Sequence, residues 1–142
     1  MKPFIPASIL ALFIAASSFT QNLTISISGI RSRKGDICIG IYNNSRQFNT
    51  DHPYRSLVVP KDKIKDGKIA VLIRDLPAGQ YAIAFLDDEN SNGKMDYRFM
   101  LPAEGCGFSN YRHKGIKKPR FDDFDFELTQ NNSYIRVEMQ YY

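Results

Sequence analysis

Apolar and polar residues alternate along much of the chain with a period of two. Leu23-Thr24-Ile25-Ser26-Ile27-Ser28 does so strictly, as a strand with one buried face should. Gly29 ends the run, and the charged stretch Arg31-Ser32-Arg33-Lys34-Gly35 follows as a turn. Ile37-Cys38-Ile39-Gly40-Ile41-Tyr42 then repeats the pattern, with isoleucine on one face and room at Gly40 on the other. The succession of these two runs predicts a hairpin. Residues 43–54 are polar and irregular and predict a long loop. Residues 56–59 predict a short strand stopped by Pro60, and Lys68-Ile69-Ala70-Val71-Leu72-Ile73 another strand. Asp75-Leu76-Pro77-Ala78-Gly79 has the proline and glycine of a tight turn. Residues 80–86 then predict a core strand with Tyr81, Ile83 and Phe85 on one face. Two further alternating runs cover 124–128 and 134–141. In the second, Ile135, Val137, Met139 and Tyr141 share a face. The stretch 87–120 is the least regular, with an Asp/Asn-rich loop, Pro102, several glycines and a basic run.

About seven short strands separated by turn signals, without helical periodicity over a full helix length, predict an all-β domain. The favoured architecture is an antiparallel β-sandwich. A membrane barrel needs strands of about 9–11 residues, and several runs here are shorter. There is no internal repeat and no low-complexity segment.

The N-terminus departs from this pattern. Lys2 precedes the apolar run Ile9-Leu10-Ala11-Leu12-Phe13-Ile14-Ala15-Ala16, and small residues Ser17 and Ser18 follow. That is the layout of a secretory signal peptide. The run is shorter than the ~20 residues of a spanning helix. Residues 1–20 are therefore expected to be a leader, with the cut between Ser18 and Gln21 and favoured before Gln21. Residues 21–142 are expected to form one domain, periplasmic or secreted, with no transmembrane segment. The whole chain has 142 residues and a formal charge of +4. This mild basicity does not call for nucleic acid. Export permits a disulfide. Cys38 and Cys106 could be joined or separate, and the sequence leaves both open.

The sharpest chemical feature is Asp88-Glu89-Asn90-Ser91-Asn92-Gly93-Lys94-Met95-Asp96, which reads D-x-N-x-N-G-x-x-D. Calcium takes six to eight oxygen ligands, and calcium loops supply them at fixed spacing around a glycine that allows a sharp turn. The expected ligands are the side chains of Asp88, Asn90, Asn92 and Asp96 and the carbonyl of Lys94. Position 12 of such a loop, normally a bidentate glutamate, is Phe99, so a complete EF-hand is excluded. Asp87, Glu89 and Glu104 are candidates to complete the shell. The competing reading is a plain turn built on Asn92-Gly93.

Other chemistry is sparse. His52 and His113 lie in expected loops, outside any nucleophile motif. Zinc spacings and phosphate loops are absent. Asp122, Asp123, Asp125 and Glu127 cluster, and a pair of carboxylates could serve a glycosidase. Like charges on one strand face usually mean a solvated face. The basic residues Arg112, His113, Lys114, Lys117, Lys118 and Arg120, edged by Tyr111 and Phe121, could meet an anionic polymer. They could also pair with their acidic neighbours.

The motifs L-P-x-G-x-Y at 76–81, D-x-N-x-N-G-x-x-D at 88–96 and P-x-E-G-x-G-F-S-N at 102–110, with the opening LTISISGIRSRKGDICIGIYN, resemble a family of exported bacterial proteins known as domain of unknown function 2141. The resemblance spans about residues 22–142. It implies export and an immunoglobulin-like or transthyretin-like sandwich, and no activity. Such chains commonly carry histidine where Leu86 or Asp87 stands and an aromatic where Cys106 stands. The expected function is a non-enzymatic binding or accessory module for an envelope ligand, polysaccharide or protein. Calcium would stiffen its loop so that the 87–120 stretch presents Tyr97, Phe99, Phe108 and Tyr111. The alternatives are a small carboxylate-dependent glycan hydrolase, using Glu104 with Asp122 to Glu127, and a purely structural envelope protein.

Overall fold

The computed structural model describes residues 19–142. Most of the expected leader lies outside these residues. Of its last two, Thr20 already pairs with Pro77. The strands are β1 (Thr20–Ser28), β2 (Asp36–Tyr42), β3 (Arg55–Pro60), β4 (Ile69–Pro77), β5 (Gly79–Asp88), β6 (Tyr97–Arg98), β7 (Leu101–Pro102), β8 (Gly105–Phe108), β9 (Asp125–Leu128) and β10 (Tyr134–Glu138). One short helix, α1 (Ser45–Asn49), sits in the stretch expected to be a long loop. Asn44 caps it by accepting the Gln47 N–H at 2.9 Å.

The strands form an all-β sandwich. One sheet has the order β10-β1-β4. The other runs β3-β2-β5-β8, with β9 also on β5. The expected hairpin of β1 and β2 does not form, because the two strands lie in opposite sheets. Leu23, Ile25 and Ile27 meet Ile37, Ile39 and Ile41 across the core, all nearly or fully buried. Alternation fixes which face of each strand is buried, and side-by-side or face-to-face placement satisfies it equally. The β1–β10 pair is parallel, a departure from the purely antiparallel expectation.

β5 organises the second sheet. One edge pairs with β2 over Ala82–Asp88, and the other is shared by β9 over 79–82 and β8 over 84–87. Ser109 fills the gap between β8 and β9. Its N–H donates to the Ile83 carbonyl, its hydroxyl accepts the Ile83 N–H at 3.0 Å, and that hydroxyl donates to the Phe124 carbonyl at 2.7 Å. A second cluster of Tyr42, Phe48, Ala82, Phe108, Phe121 and Phe124 covers the outer face of this sheet. Edge-to-face stacking of Phe48 on Tyr42 and Phe124, with centroids 5.2 and 5.0 Å apart, holds α1 there.

Candidate functional site

The 88–96 loop leaves the end of β5 and folds on itself through its own side chains. Asp88 carries most of the turn. Its carboxylate accepts the N–H of Asn92 at 3.0 Å and of Gly93 at 2.7 Å. The Asn90 side-chain oxygen accepts the Asn92 N–H at 3.1 Å, and that of Asn92 accepts the Lys94 N–H at 2.9 Å. The amide groups of Asn90 and Asn92 both donate to Asp96, at 2.6 and 2.9 Å. Gly93, at φ +74, occupies the left-handed position that the sharp turn requires. Asp88, Asn90, Asn92, Lys94 and Asp96 are thus brought together in one loop.

The three candidates for completing the shell separate clearly. Asp87 points to the opposite face of β5 and is bonded to Lys61 and, at 2.5 Å, to the Tyr141 hydroxyl. Glu89 is held by Arg31 through two bonds of 2.9 Å and by the Ser32 hydroxyl at 3.0 Å. The Arg31 hydrogen bonds lower its pKa from 4.5 to about 2, against the opposing effect of burial. Glu104 alone faces the loop. It is 5% exposed, and its two oxygens accept the N–H of Glu89 at 3.1 Å and of Asp96 at 3.3 Å, one at each end of the loop. Phe99 is 92% exposed and takes no part. Among the described residues, no three His, Cys, Asp or Glu side chains stand close enough together to form a metal cluster by themselves.

The base of the loop is tightly packed. A Cβ on Gly35 would run into the Asp88 carbonyl and the Glu89 backbone, so the 31–35 turn must carry glycine there. The Cys38 thiol donates to Asp88 Oδ2 at 3.6 Å. Burial first, and then the charge of Asp88, push the thiol up to about 11. Cys106 lies two strands away, because Cys38 and Cys106 each pair with Leu86 from opposite sides. Two strand spacings are roughly 10 Å, beyond the ~7 Å limit for a disulfide. Both cysteines are free.

Several expected surface features change role. Phe108 is 7% exposed and belongs to the outer-face cluster, so it is not presented to solvent. Tyr111 is half-buried against the same cluster. Tyr97 and Phe99 are exposed, and Met100 and Leu101 join them in a small hairpin of β6 and β7. Strand signals two residues long carry no readable period, so the sequence could not reveal this hairpin.

Four members of the basic run are engaged with other parts of the chain. Arg112 pairs with Glu138, Lys118 donates to the Phe48 carbonyl at 2.7 Å, and Arg120 pairs with Asp123. His113 Nε2 meets the Lys117 carbonyl, and its ring lies beside Phe108 and Tyr111. Asp125 accepts from Gln80, and Glu127 is exposed on β9. Two shallow clefts, between 30–33 and 64–67 and between Tyr54 and 77–81, are lined by other residues than Asp122 to Glu127. His52 lies in the loop after α1, with its ring nitrogen 2.6 Å from the Thr50 carbonyl.

The fold and the loop together define an all-β sandwich protein with an Asp/Asn-rich loop at the end of β5, packed on the 31–35 turn. The chain belongs to the family described as "Uncharacterized protein conserved in bacteria (DUF2141)", which matches residues 25–136. No curated protein and no solved structure matches it. Among the described residues, no helix is long and apolar enough to cross a membrane.

Proposed function

We propose that this protein is an exported, non-catalytic binding or accessory module of the periplasm or cell surroundings, in which calcium stiffens the 88–96 loop. The observation that carries the reading is a pair of buried carboxylates without a counter-charge. Asp88 is 2% and Glu104 5% exposed, and neither forms an ion pair among the described residues. Buried anions are usually paired or bound to metal. Asp88 and Asp96 would supply charge and Asn90, Asn92 and the Lys94 carbonyl neutral oxygens, with Glu104 joining only as the loop closes on the ion, because no three acidic side chains already stand together among the described residues. The Asn oxygens that accept backbone N–H groups keep a second lone pair for a cation. Glu104 would take the place left by Phe99. Calcium supplies a hard divalent charge that binds oxygen ligands. The chain's own part is to hold both ends of the loop through the two Glu104 hydrogen bonds.

The test is thermal unfolding in EDTA and across a calcium titration, beside Asp88→Ala. With an affinity of about 10⁻⁴ M, at the tight end of extracellular modules, 10 mM calcium stabilises the folded state by about 2.7 kcal/mol. The expected result is a calcium-dependent rise in melting temperature in the native protein and none in the variant. A flat titration to 10 mM, or an equal rise in the variant, removes the metal from the reading.

A further inference from the structure

We propose that the hairpin of β6 and β7 is a wedge that inserts into the surface of an anionic phospholipid bilayer. This does not depend on metal binding by the neighbouring loop.

The hairpin pairs Tyr97 with Pro102 and Arg98 with Leu101, which leaves Phe99 and Met100 as its two turn residues. Both have left-handed backbones, at φ 49° and 67°. A two-residue turn of this kind favours Asn-Gly, because bulky side chains are strained there. The chain has that very pair a few residues earlier, at Asn92-Gly93. Here the turn instead holds two large apolar side chains, 92% and 91% exposed, flanked by Tyr97 at 67% and Leu101 at 39%. Local conformation and water contact both disfavour this arrangement. An apolar partner that receives the tip explains it.

Shape and charge identify that partner as a lipid surface. The tip is convex and two residues wide. It offers on the order of 400 Å² of apolar area, against the ~800 Å² per side of a stable protein interface. A bilayer closes around a narrow protrusion without needing a complementary groove. The exposed charges nearest the tip along the chain are Lys94 and Arg98, both basic, and they complement anionic headgroups. The one acid between them, Asp96, is half-buried and engaged with the Asn90 and Asn92 amides. Tyr97, at the base of the tip, suits the headgroup level, where amphipathic rings concentrate. Apolar insertion combined with basic attraction is the general recipe of surface-bound proteins.

The chain has no tryptophan, so Phe99→Trp places a single indole at the tip and reports on the hairpin alone. The probe is a titration with phosphatidylcholine vesicles containing about one quarter phosphatidylglycerol, beside pure phosphatidylcholine. A blue shift of the Trp emission on anionic vesicles is expected, weakened at least about tenfold on pure phosphatidylcholine or by adding Lys94→Glu and Arg98→Glu. A companion variant, Phe99→Asn with Met100→Gly, gives the turn its preferred residues. It is expected to raise the melting temperature while weakening vesicle binding at least about tenfold. Three results would overturn the proposal. The first is an unshifted indole on anionic vesicles. The second is undiminished vesicle binding by the Asn-Gly variant. The third is a native dimer that this variant dissociates, which would give the tip to a second copy of the chain.

Discussion

Arg31 and Glu89 form a fork-to-fork pair at the root of the loop, and Arg31 also lies 4.4 Å over the Tyr141 ring. The lowered pKa of Glu89, chiefly the work of the Arg31 hydrogen bonds, makes this contact pH-dependent. A carboxylate whose folded pKa is depressed contributes fully above its ordinary value, here 4.5, and loses the contribution as pH falls toward about 2. The pair is partly exposed, with side chains 45% and 25% accessible, so its contribution is screened to about 1 kcal/mol. Glu89→Gln is expected to be less stable than the native protein by that amount at pH 7, and the gap should close between about pH 5 and pH 2. Urea unfolding across that range checks it, and a gap that does not vary with pH would refute the assignment. The charged turn at 31–35 was visible in the sequence. That Glu89 answers Arg31 was not, because the two are far apart along the chain and meet only where β2 lies beside β5.

The shared edge of β5 is the feature that organises the elements. β8 and β9 cannot both pair with Ile83, and the Ser109 hydroxyl satisfies the N–H that neither reaches. Ser109 is 1% exposed. Ser109→Ala would leave a buried donor at Ile83 and a buried acceptor at Phe124 unpaired, at a cost of about 2 kcal/mol. Denaturant unfolding is expected to show this as a lower midpoint with an unchanged slope. A neutral substitution would mean that water replaces the hydroxyl. Each run of residues that alternated over five or more positions in the sequence is a strand. β8 was missed because Gly105-Cys106-Gly107-Phe108 offers too few apolar side chains to show a period. Its glycines are there for packing: a Cβ on Gly105 would strike the Tyr141 ring, and one on Gly107 the side chains of Val137 and Met139.

At the scale of the whole molecule, the chain's end ties the two sheets together. After β10 the backbone leaves the first sheet. Met139 bonds back to Ser28, Gln140 pairs with Cys106, and the Tyr141 hydroxyl reaches Asp87. Asp87 and Lys61 are a fully buried ion pair, and Lys61 also donates to the Lys34 carbonyl at 2.7 Å. The network thus joins the turn after β3, β5 and the C-terminal segment. Burial and the adjacent Asp87 push the Tyr141 hydroxyl well above its ordinary pKa, so it stays a donor. Lys61→Met is expected to cost about 3–5 kcal/mol, because Asp87 is left buried without its cation. Lys61→Met with Asp87→Leu should recover most of that loss. Equal destabilisation in the single and double variants, measured by thermal unfolding, would show that packing rather than charge dominates there.

The sequence by itself determined which face of each alternating strand is buried, because burial of one strand face imposes a period of two that the residues display directly. It also placed the oxygen-bearing side chains of the 88–96 loop in register and named Glu104 among three carboxylates that could join them. Only the tertiary structure decided the rest. Alternation is the same for neighbours in one sheet and for strands facing each other across a core, so the separation of β1 from β2 and the parallel β1–β10 pair could not be read. The distance between Cys38 and Cys106 and the placement of Glu104, rather than Asp87 or Glu89, against the loop depend on which strand edges meet. That is set by the summed packing of residues distant along the chain, and no local run of residues records it.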